Sequence, residues 1–275
     1  MLEAARHLIG PCDVVADLSW KDLGLCVVLE VRTDDGRTLI VKSHNDDDRN
    51  QFEVAAYQRW VPAIADRAPA LVAHDDEGKV LVVTKLDAGS PAPELPASVH
   101  ADAGRVLRRF HDGGEAIVDE RWAEQRLANL RTWIERMPEG LVDADDVAFV
   151  EREAAVLREL PPPSMVPCHS DFQPRNWLVD DDGKVFVFDF EKARHDWWTH
   201  DIQRMWWREW LDRPDLRDAF LEGYGRALTD VELAGLRANS ARGHLVQIVW
   251  ATQHGDAPFA AEGRAQLARL REHGL

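Results

Sequence analysis

The stretch Val166–Ala193 reads VPCHSDFQPRNWLVDDDGKVFVFDFEKA, and its reading decides the fold. It carries His169-x-Asp171, then Asn176 five residues after the aspartate, then Asp189 at the end of an apolar run. Pro167 and Pro174 make Val166–Asn176 a loop. Trp177–Val179 is a short apolar strand, and Asp180–Gly183 is a turn whose Asp-Gly step favours a tight hairpin. Lys184–Phe190 alternates as the return strand. Such a hairpin brings Asn176 and Asp189 side by side at its open end. An amide oxygen and a carboxylate there, completed by phosphate oxygens and water, suit Mg²⁺, which rarely uses an all-protein cage. Asp171 adds a carboxylate that can orient an attacking hydroxyl. Together they are the side chains of a magnesium-dependent phosphoryl-transfer centre. That chemistry asks for position and charge neutralisation rather than covalent catalysis.

The composition bounds this reading. A chain of 275 residues with 45% hydrophobic content can bury a full core and is expected to form one two-lobed unit. No apolar run approaches the length of a membrane-spanning helix. The opening MLEAARHLIG has neither the basic start nor the long apolar core of a secretory signal. Cys12, Cys26 and Cys168 are too few and too scattered for a disulfide framework, which points to the cytoplasm. The net charge of −16 argues against nucleic acid and anionic membrane as partners. It favours a cationic small molecule, although simple solubility explains such a charge about as well.

The run HSDFQPRN followed by VFVFDFE resembles the catalytic and metal-binding motifs of the aminoglycoside phosphotransferase and choline kinase superfamily. Ser170 stands where that family usually has glycine. The resemblance implies an α+β, protein-kinase-like two-lobed fold. A small N-terminal antiparallel sheet plus one helix would form a nucleotide-binding lobe over residues 1–86. A larger, mainly helical lobe over 87–275 would hold the catalytic and substrate-binding parts. It further implies an enzyme, a small-molecule kinase using ATP (GTP being possible) and Mg²⁺. Asp171 would be the catalytic residue and Asn176 and Asp189 the metal ligands. His169, Arg175 and Asp201 would support them, with Arg175 neutralising the transferred group and Asp201 bracing the catalytic loop.

A kinase makes demands upstream: a strand lysine grips the phosphates, and a glutamate on the next helix holds that lysine. Leu23–Arg32 and Arg37–Lys42 read as a hairpin around Asp34-Asp35-Gly36, and the second strand ends in Lys42. Asp48–Trp60 is a helix carrying Glu53. Either charge alone would be ordinary surface, but their order relative to the downstream motif favours the clamp. The phosphate-covering loop corresponds to Ser19–Gly24, with one glycine and Ser19 as a phosphate donor. Lys79–Asp87 is a strand leading into a hinge broken by Gly89 and the prolines after it. By resemblance the backbone from Thr84 to Leu86 bonds the adenine edge, with Ile40 above the base and Leu178 below it. Ordinary core packing explains the last two equally well.

The C-terminal third reads as helical, with Ala97–His111 and Asp143–Leu160 the clearest helices. Trp206 and Trp210 are expected in the core. Trp197 and Trp198 are candidates for a pocket lip, where aromatic faces hold cations and sugar rings. Asp196 and Glu209 are candidate partners for substrate ammonium groups. The reaction expected is transfer of the γ-phosphate to a hydroxyl of a cationic antibiotic, an aminoglycoside or a basic cyclic peptide of the capreomycin and viomycin type, which confers resistance. A kinase for choline, a sugar or an amino acid is the alternative within the class. Outside it stand a metal-dependent hydrolase using His169, Asp171, Asp189, His195 and His200, and a non-catalytic nucleotide-binding regulator. The oligomer would be a monomer or a homodimer.

Overall fold

The computed structural model describes residues 1–19, 26–89 and 95–273. Trp20–Gly24 of the expected phosphate loop, the start of the Leu23–Arg32 strand and the Ser90–Pro93 break lie outside the described residues. The chain divides into two compact units. Unit 1 comprises Met1–Glu115, Val166–Asp196 and Ala219–Gly225; unit 2 comprises Ala116–Met165, Trp197–Asp218 and Arg226–Leu275.

Unit 1 contains a five-stranded sheet of β1 (Cys12–Asp17), β2 (Cys26–Thr33), β3 (Thr38–His44), β4 (Leu71–Asp75) and β5 (Val80–Thr84), in the order β1-β2-β3-β5-β4. Its neighbouring strands pair antiparallel, with Lys42 of β3 opposite Val28 of β2 and Leu81 of β5. Thr33 caps the β2–β3 turn by accepting the Arg37 N–H at 3.1 Å, and Gly36 takes the left-handed conformation the turn requires (φ 86°).

The period of two along β3 divides its side chains. Leu39 and Val41 join Ala5, Cys12, Val31, Val80 and Val82 in a core. Lys42 and His44 fall on the other face, both buried. Helix α1 (Leu2–Ile9) closes the core with Leu2, Ala4, Leu8 and Ile9. Neither α1 nor β1 was expected from the sequence, so the sheet region carries two helices rather than one. Helix α2 (Asp47–Arg59) starts at Asp46, whose carboxylate accepts the Asp48 N–H at 2.9 Å.

Helix α3 (Ala97–His111) also belongs to unit 1. It meets the second half of a later helix, Pro214–Tyr224, at two glycines. A methyl group on Gly104 would lie 2.2 Å from the Phe220 carbonyl oxygen, and one on Gly223 would lie 1.9 Å from that of Ala101. Backbone touches backbone there, which only glycine permits.

Unit 2 supplies β6 (Ile117–Val118), whose Ile117 pairs with Met165 at the start of β7 (Ser164–Cys168). Its helices begin with α4 (Trp122–Glu135) and α5 (Ala144–Ala155). The expected helix to Leu160 tightens into a 3₁₀ turn at Val156–Arg158 before the prolines. Unit 2 continues with α6 (Gln203–Trp207), α7 (Glu209–Asp212) and the first turn of α8 (Pro214–Tyr224), then α9 (Asp230–Gln253) and α10 (Ala257–Glu272). Helix α9 opens on a capping box between Thr229 and Glu232. Glu232 also accepts the Trp198 indole N–H at 2.6 Å, while the Arg226 guanidinium lies 4.7 Å above that ring. Trp206 and Trp210 are core residues, as expected.

Candidate active site

The quoted stretch folds around a two-stranded hairpin of β8 (Trp177–Val179) and β9 (Val185–Val187), with Trp177 opposite Val187. Asp180 holds the turn, its carboxylate accepting the N–H groups of Asp182 and Lys184 at 3.0 and 2.8 Å. The return strand is shorter than expected. It stops at Val187, and Asp189 takes a left-handed backbone (φ 70°) that no strand can contain. A short last strand, β10 (Arg194–Trp197), follows.

The turn Pro174–Asn176 carries Asn176 to the head of β8. The Phe188 N–H donates to the Asn176 carbonyl at 3.3 Å, and the Asn176 side-chain N–H donates to the Asp171 carbonyl at 2.8 Å. That leaves the Asn176 amide oxygen as the acceptor atom. Asn176 and Asp189 therefore stand at one end of the hairpin, joined to the Asp171 loop. His169 is buried, and its Nε2 lies 3.0 Å from the Phe188 carbonyl, tying the loop to the segment after β9. Ser170 sits between His169 and Asp171 with φ 63°. That conformation explains why glycine suits the position.

The Asp171 carboxylate is buried and surrounded by donors. Arg175 and Lys192 reach its Oδ2 at 2.8 and 3.3 Å, and the Gln173 amide binds its Oδ1. A hydroxyl bound here would share the carboxylate with these donors.

Lys42 is the second focus. Its Nζ lies 3.0 Å from Glu53 Oε2 and 3.4 Å from Glu191 Oε2, and it also binds Asp189. The Glu53 side chain is 2% exposed and that of Lys42 10%. Burial disfavours the ammonium, but Asp189, Glu53 and Glu191 outweigh it and hold the Lys42 pKa well above the usual lysine range. Burial likewise disfavours the Asp189 carboxylate, and Lys42 reverses this, keeping its pKa below the usual value. Strand β3, helix α2 and the segment after β9 therefore meet at one ammonium.

Sequence reasoning missed three members of this cluster. Glu191 stood in the quoted stretch without a role. His44 Nε2 lies 2.7 Å from Glu53 Oε2, and Arg49 donates to Glu191 Oε1 at 2.7 Å. The signals were present: His44 shares the face of Lys42 by the period of two, and Arg49 lies one helical turn before Glu53.

The remaining candidates are placed as follows. Ser19 Oγ accepts the Val28 N–H at 3.0 Å and closes the end of the β1–β2 pair. Ile40, Thr84, Leu86 and Leu178 are each half-buried. The Thr84 N–H donates to the Ala70 carbonyl at 2.9 Å, so that amide is already used. Asp201 belongs to unit 2 and follows the 3₁₀ turn Trp198–His200. The pocket lip expected at Trp197 and Trp198 is not formed, since both rings are buried, at 5% and 3% exposure. Asp196 is wholly buried as well, which removes it as a contact for a dissolved cation. Burial raises the Glu209 pKa, with Arg208 opposing. His195 spends its Nε2–H on the Glu115 carbonyl at 3.1 Å, a structural use that weakens the hydrolase alternative.

The residues present fit a hard divalent cation. Asn176 and Asp189 offer an amide oxygen and a carboxylate at one end of the hairpin, Lys42 binds Asp189, and neither donor is a soft ligand.

Solved structures share this fold. A thermostable mutant of the aminoglycoside phosphotransferase APH(4)-Ia, in ternary complex with ADP and hygromycin B, is 15% identical with a TM-score of 0.74, over 99% of this chain and 98% of that one. A macrolide 2'-phosphotransferase of type I is 18% identical with a TM-score of 0.65, over 96% and 94%. A choline/ethanolamine kinase family protein from Mesorhizobium loti is 19% identical with a TM-score of 0.71, over 98% and 94%. No curated protein sequence matches the chain. Identities this low speak for architecture. The sequence model of the phosphotransferase enzyme family matches residues 28–238, which include most of β2, Lys42, Glu53 and the whole Asp171–Asp189 stretch. With most of its length inside that match, this chain belongs to the phosphotransferase enzyme family and is an enzyme that moves a phosphoryl group to a hydroxyl.

Proposed function

We propose that the protein is an ATP-dependent O-phosphotransferase whose acceptor is a small cationic antibiotic, an aminoglycoside or a basic cyclic peptide, and that it confers resistance. The observation that carries the nucleotide half is the gathering of Lys42, Glu53, Asp189, Asn176 and Asp171 within unit 1. Lys42, steadied by Glu53, grips the nucleotide phosphates. Asn176 and Asp189 would hold Mg²⁺, which when bound would neutralise charge on the phosphates. Asp171 orients the acceptor hydroxyl by accepting its hydrogen bond, alongside the donors it already carries. Arg175, at 2.8 Å from Asp171, offsets charge on the transferred group. Ile40 and Leu178 line the adenine, the backbone at Leu86 bonds its edge, and residues 1–86 act as the nucleotide-binding part. Ser19 would donate its hydroxyl to phosphate while its Oγ still accepts the Val28 N–H.

The acceptor half rests on net charge and on relatives. The charge of −16 favours a cation, but most of the acidic excess lies on residues of unit 1. It therefore supports steering of a cation rather than a particular pocket. The neighbour bound to hygromycin B supports an aminoglycoside, and the choline/ethanolamine kinase neighbour supports a metabolite acceptor.

A phosphotransfer assay with ATP, Mg²⁺ and a panel of aminoglycosides, tuberactinomycin peptides, macrolides, choline and amino acids separates these readings. Expression in a sensitive bacterium tests resistance directly. Asp171→Ala should cut turnover by about 10³-fold or more while nucleotide still binds. Turnover by that variant equal to the wild type would refute the assignment of Asp171. Turnover confined to choline or an amino acid would refute the antibiotic reading.

A further inference from the structure

Lys42 needs a holder whenever a nucleotide is bound, because Asp189 then has a metal to serve. Glu53 alone would be expected to do this. The structure instead surrounds the ammonium with a second carboxylate, an arginine and a histidine. Glu191 Oε2 lies 3.4 Å from Lys42, and its other oxygen accepts from Arg49 at 2.7 Å. Arg49 sits on the first turn of α2, the same helix that carries Glu53. Helix α2 is thus tied to the catalytic segment twice, once through Glu53 and Lys42 and once through Arg49 and Glu191.

His44 completes the arrangement. Its side chain is fully buried between two carboxylates, with Nε2 at 2.7 Å from Glu53 Oε2 and Nδ1 at 3.6 Å from Glu191 Oε2. The first distance is a hydrogen bond, and an ionised carboxylate can only accept, so Nε2 carries the proton. The second is too long for one. His44 therefore fixes the Glu53 oxygen that also faces Lys42 at 3.0 Å.

We propose that Arg49 and His44 are positioning residues for the phosphate-gripping lysine: Arg49 fixes Glu191, His44 fixes Glu53, and the two carboxylates together set the place of the Lys42 ammonium. Neither residue touches substrate. Both act by denying the carboxylates other geometries, which preorganises Lys42 before nucleotide arrives. The inference rests on the reading of Lys42 as the nucleotide's partner.

The test is nucleotide affinity, read by isothermal titration calorimetry of the full chain with ADP, once in EDTA and once with Mg²⁺. Variants Arg49→Met, Arg49→Lys, His44→Leu and His44→Gln are compared with the wild type, and each is checked by thermal unfolding. Arg49→Met and His44→Leu are expected to bind ADP about tenfold more weakly, the scale of one hydrogen bond to a charged group. Arg49→Lys and His44→Gln keep a donor and should recover most of the loss. The loss should appear in EDTA as well, since it acts through Lys42 and not through a metal. Affinities within twofold of the wild type in Arg49→Met and His44→Leu overturn the proposal. So does a loss that the conservative variants share in full, because bulk packing would then be the cause. If His44→Leu does not fold, the Arg49 pair decides, since Arg49 is 23% exposed and its loss opens no core. A wild type that binds ADP but phosphorylates nothing on the acceptor panel sinks the antibiotic reading and leaves this inference standing. A wild type that binds no nucleotide overturns both.

Discussion

Lys42→Met is the most severe test of the charge cluster. The substitution keeps the side chain's length and apolar stem and removes one positive charge from among Glu53, Asp189 and Glu191. At 3.0 Å and an effective dielectric constant of about 20, the Lys42–Glu53 attraction alone is worth about 5 kcal/mol. Part of that offsets the cost of burying the ammonium, so the net loss on removing one partner is about 3–5 kcal/mol. A domain's whole stability is about 5–15 kcal/mol, so the variant sits near its limit at neutral pH. The pH dependence is the sharper signature. In the wild type, Lys42 lowers the Asp189 pKa, so this contribution is present above the usual aspartate range and is lost only as pH falls below that range, through the lowered folded-state value. The raised Lys42 pKa adds stability that is present below the usual lysine range and is lost only at higher pH. Between pH 5.5 and 8 the Lys42–Asp189 pair is therefore silent in the wild type. In the variant, burial of Asp189 is no longer opposed by Lys42, so its carboxylate takes up a proton more readily on folding and acidification favours the folded form. Urea unfolding should show Lys42→Met less stable than the wild type by about 3 kcal/mol at pH 8, narrowing to about 1 kcal/mol at pH 5.5. Lys42→Met/Glu53→Gln should regain part of the loss at pH 8. A gap that stays constant across this range, or one under about 1 kcal/mol at pH 8, would show that Lys42 does not balance these carboxylates.

Three further outcomes follow from the geometry. Ser170→Gly should raise stability by about 1 kcal/mol, because the left-handed backbone at φ 63° strains serine by more than glycine adds in unfolded-state freedom; thermal unfolding reads it, and a lowered midpoint refutes it. Burial, with Arg204 assisting, depresses the His244 pKa to about 3, so the unfolded chain binds the proton more readily and stability should fall as pH drops from about 6.5 toward 3. His244→Met should remove that part of the slope in a urea titration series. Asn176→Ala should raise the Mg²⁺ concentration needed for half-maximal phosphotransfer by about 10-fold or more, as loss of one oxygen ligand requires, and an unchanged Mg²⁺ dependence would remove Asn176 from the metal site.

Much of the site was legible because its parts are local. The hairpin from Trp177 to Val187 is written in alternation and an Asp-Gly turn, which bring Asn176 and Asp189 to one end, although the Val187 N–H also donates to the Arg67 carbonyl at 2.8 Å. Lys42 and Glu53 were found because a strand end and the following helix lie eleven residues apart in the sequence. What stayed hidden depends on tertiary context. Strand β1 shows no clean alternation, its burial running through exposed Val14 and Val15, so it pairs with β2 without announcing itself. Trp198 looked available in sequence, but its partner Glu232 is thirty-four residues away and takes it into packing. Arg49 and Glu191 are 142 residues apart, and no local pattern joins them.

The contact of Gly104 with Phe220 and of Gly223 with Ala101 has a practical consequence for anyone mapping this protein by random mutagenesis. Neither glycine bears a functional group, and neither is among the proposed phosphate-handling residues. Yet each forbids every other amino acid, since even a lone carbon would drive two helices apart. A screen scored on lost activity would flag both as strongly as Asp171. Only an assay that separates misfolded from inert protein would keep these two silent spacers out of the reaction scheme.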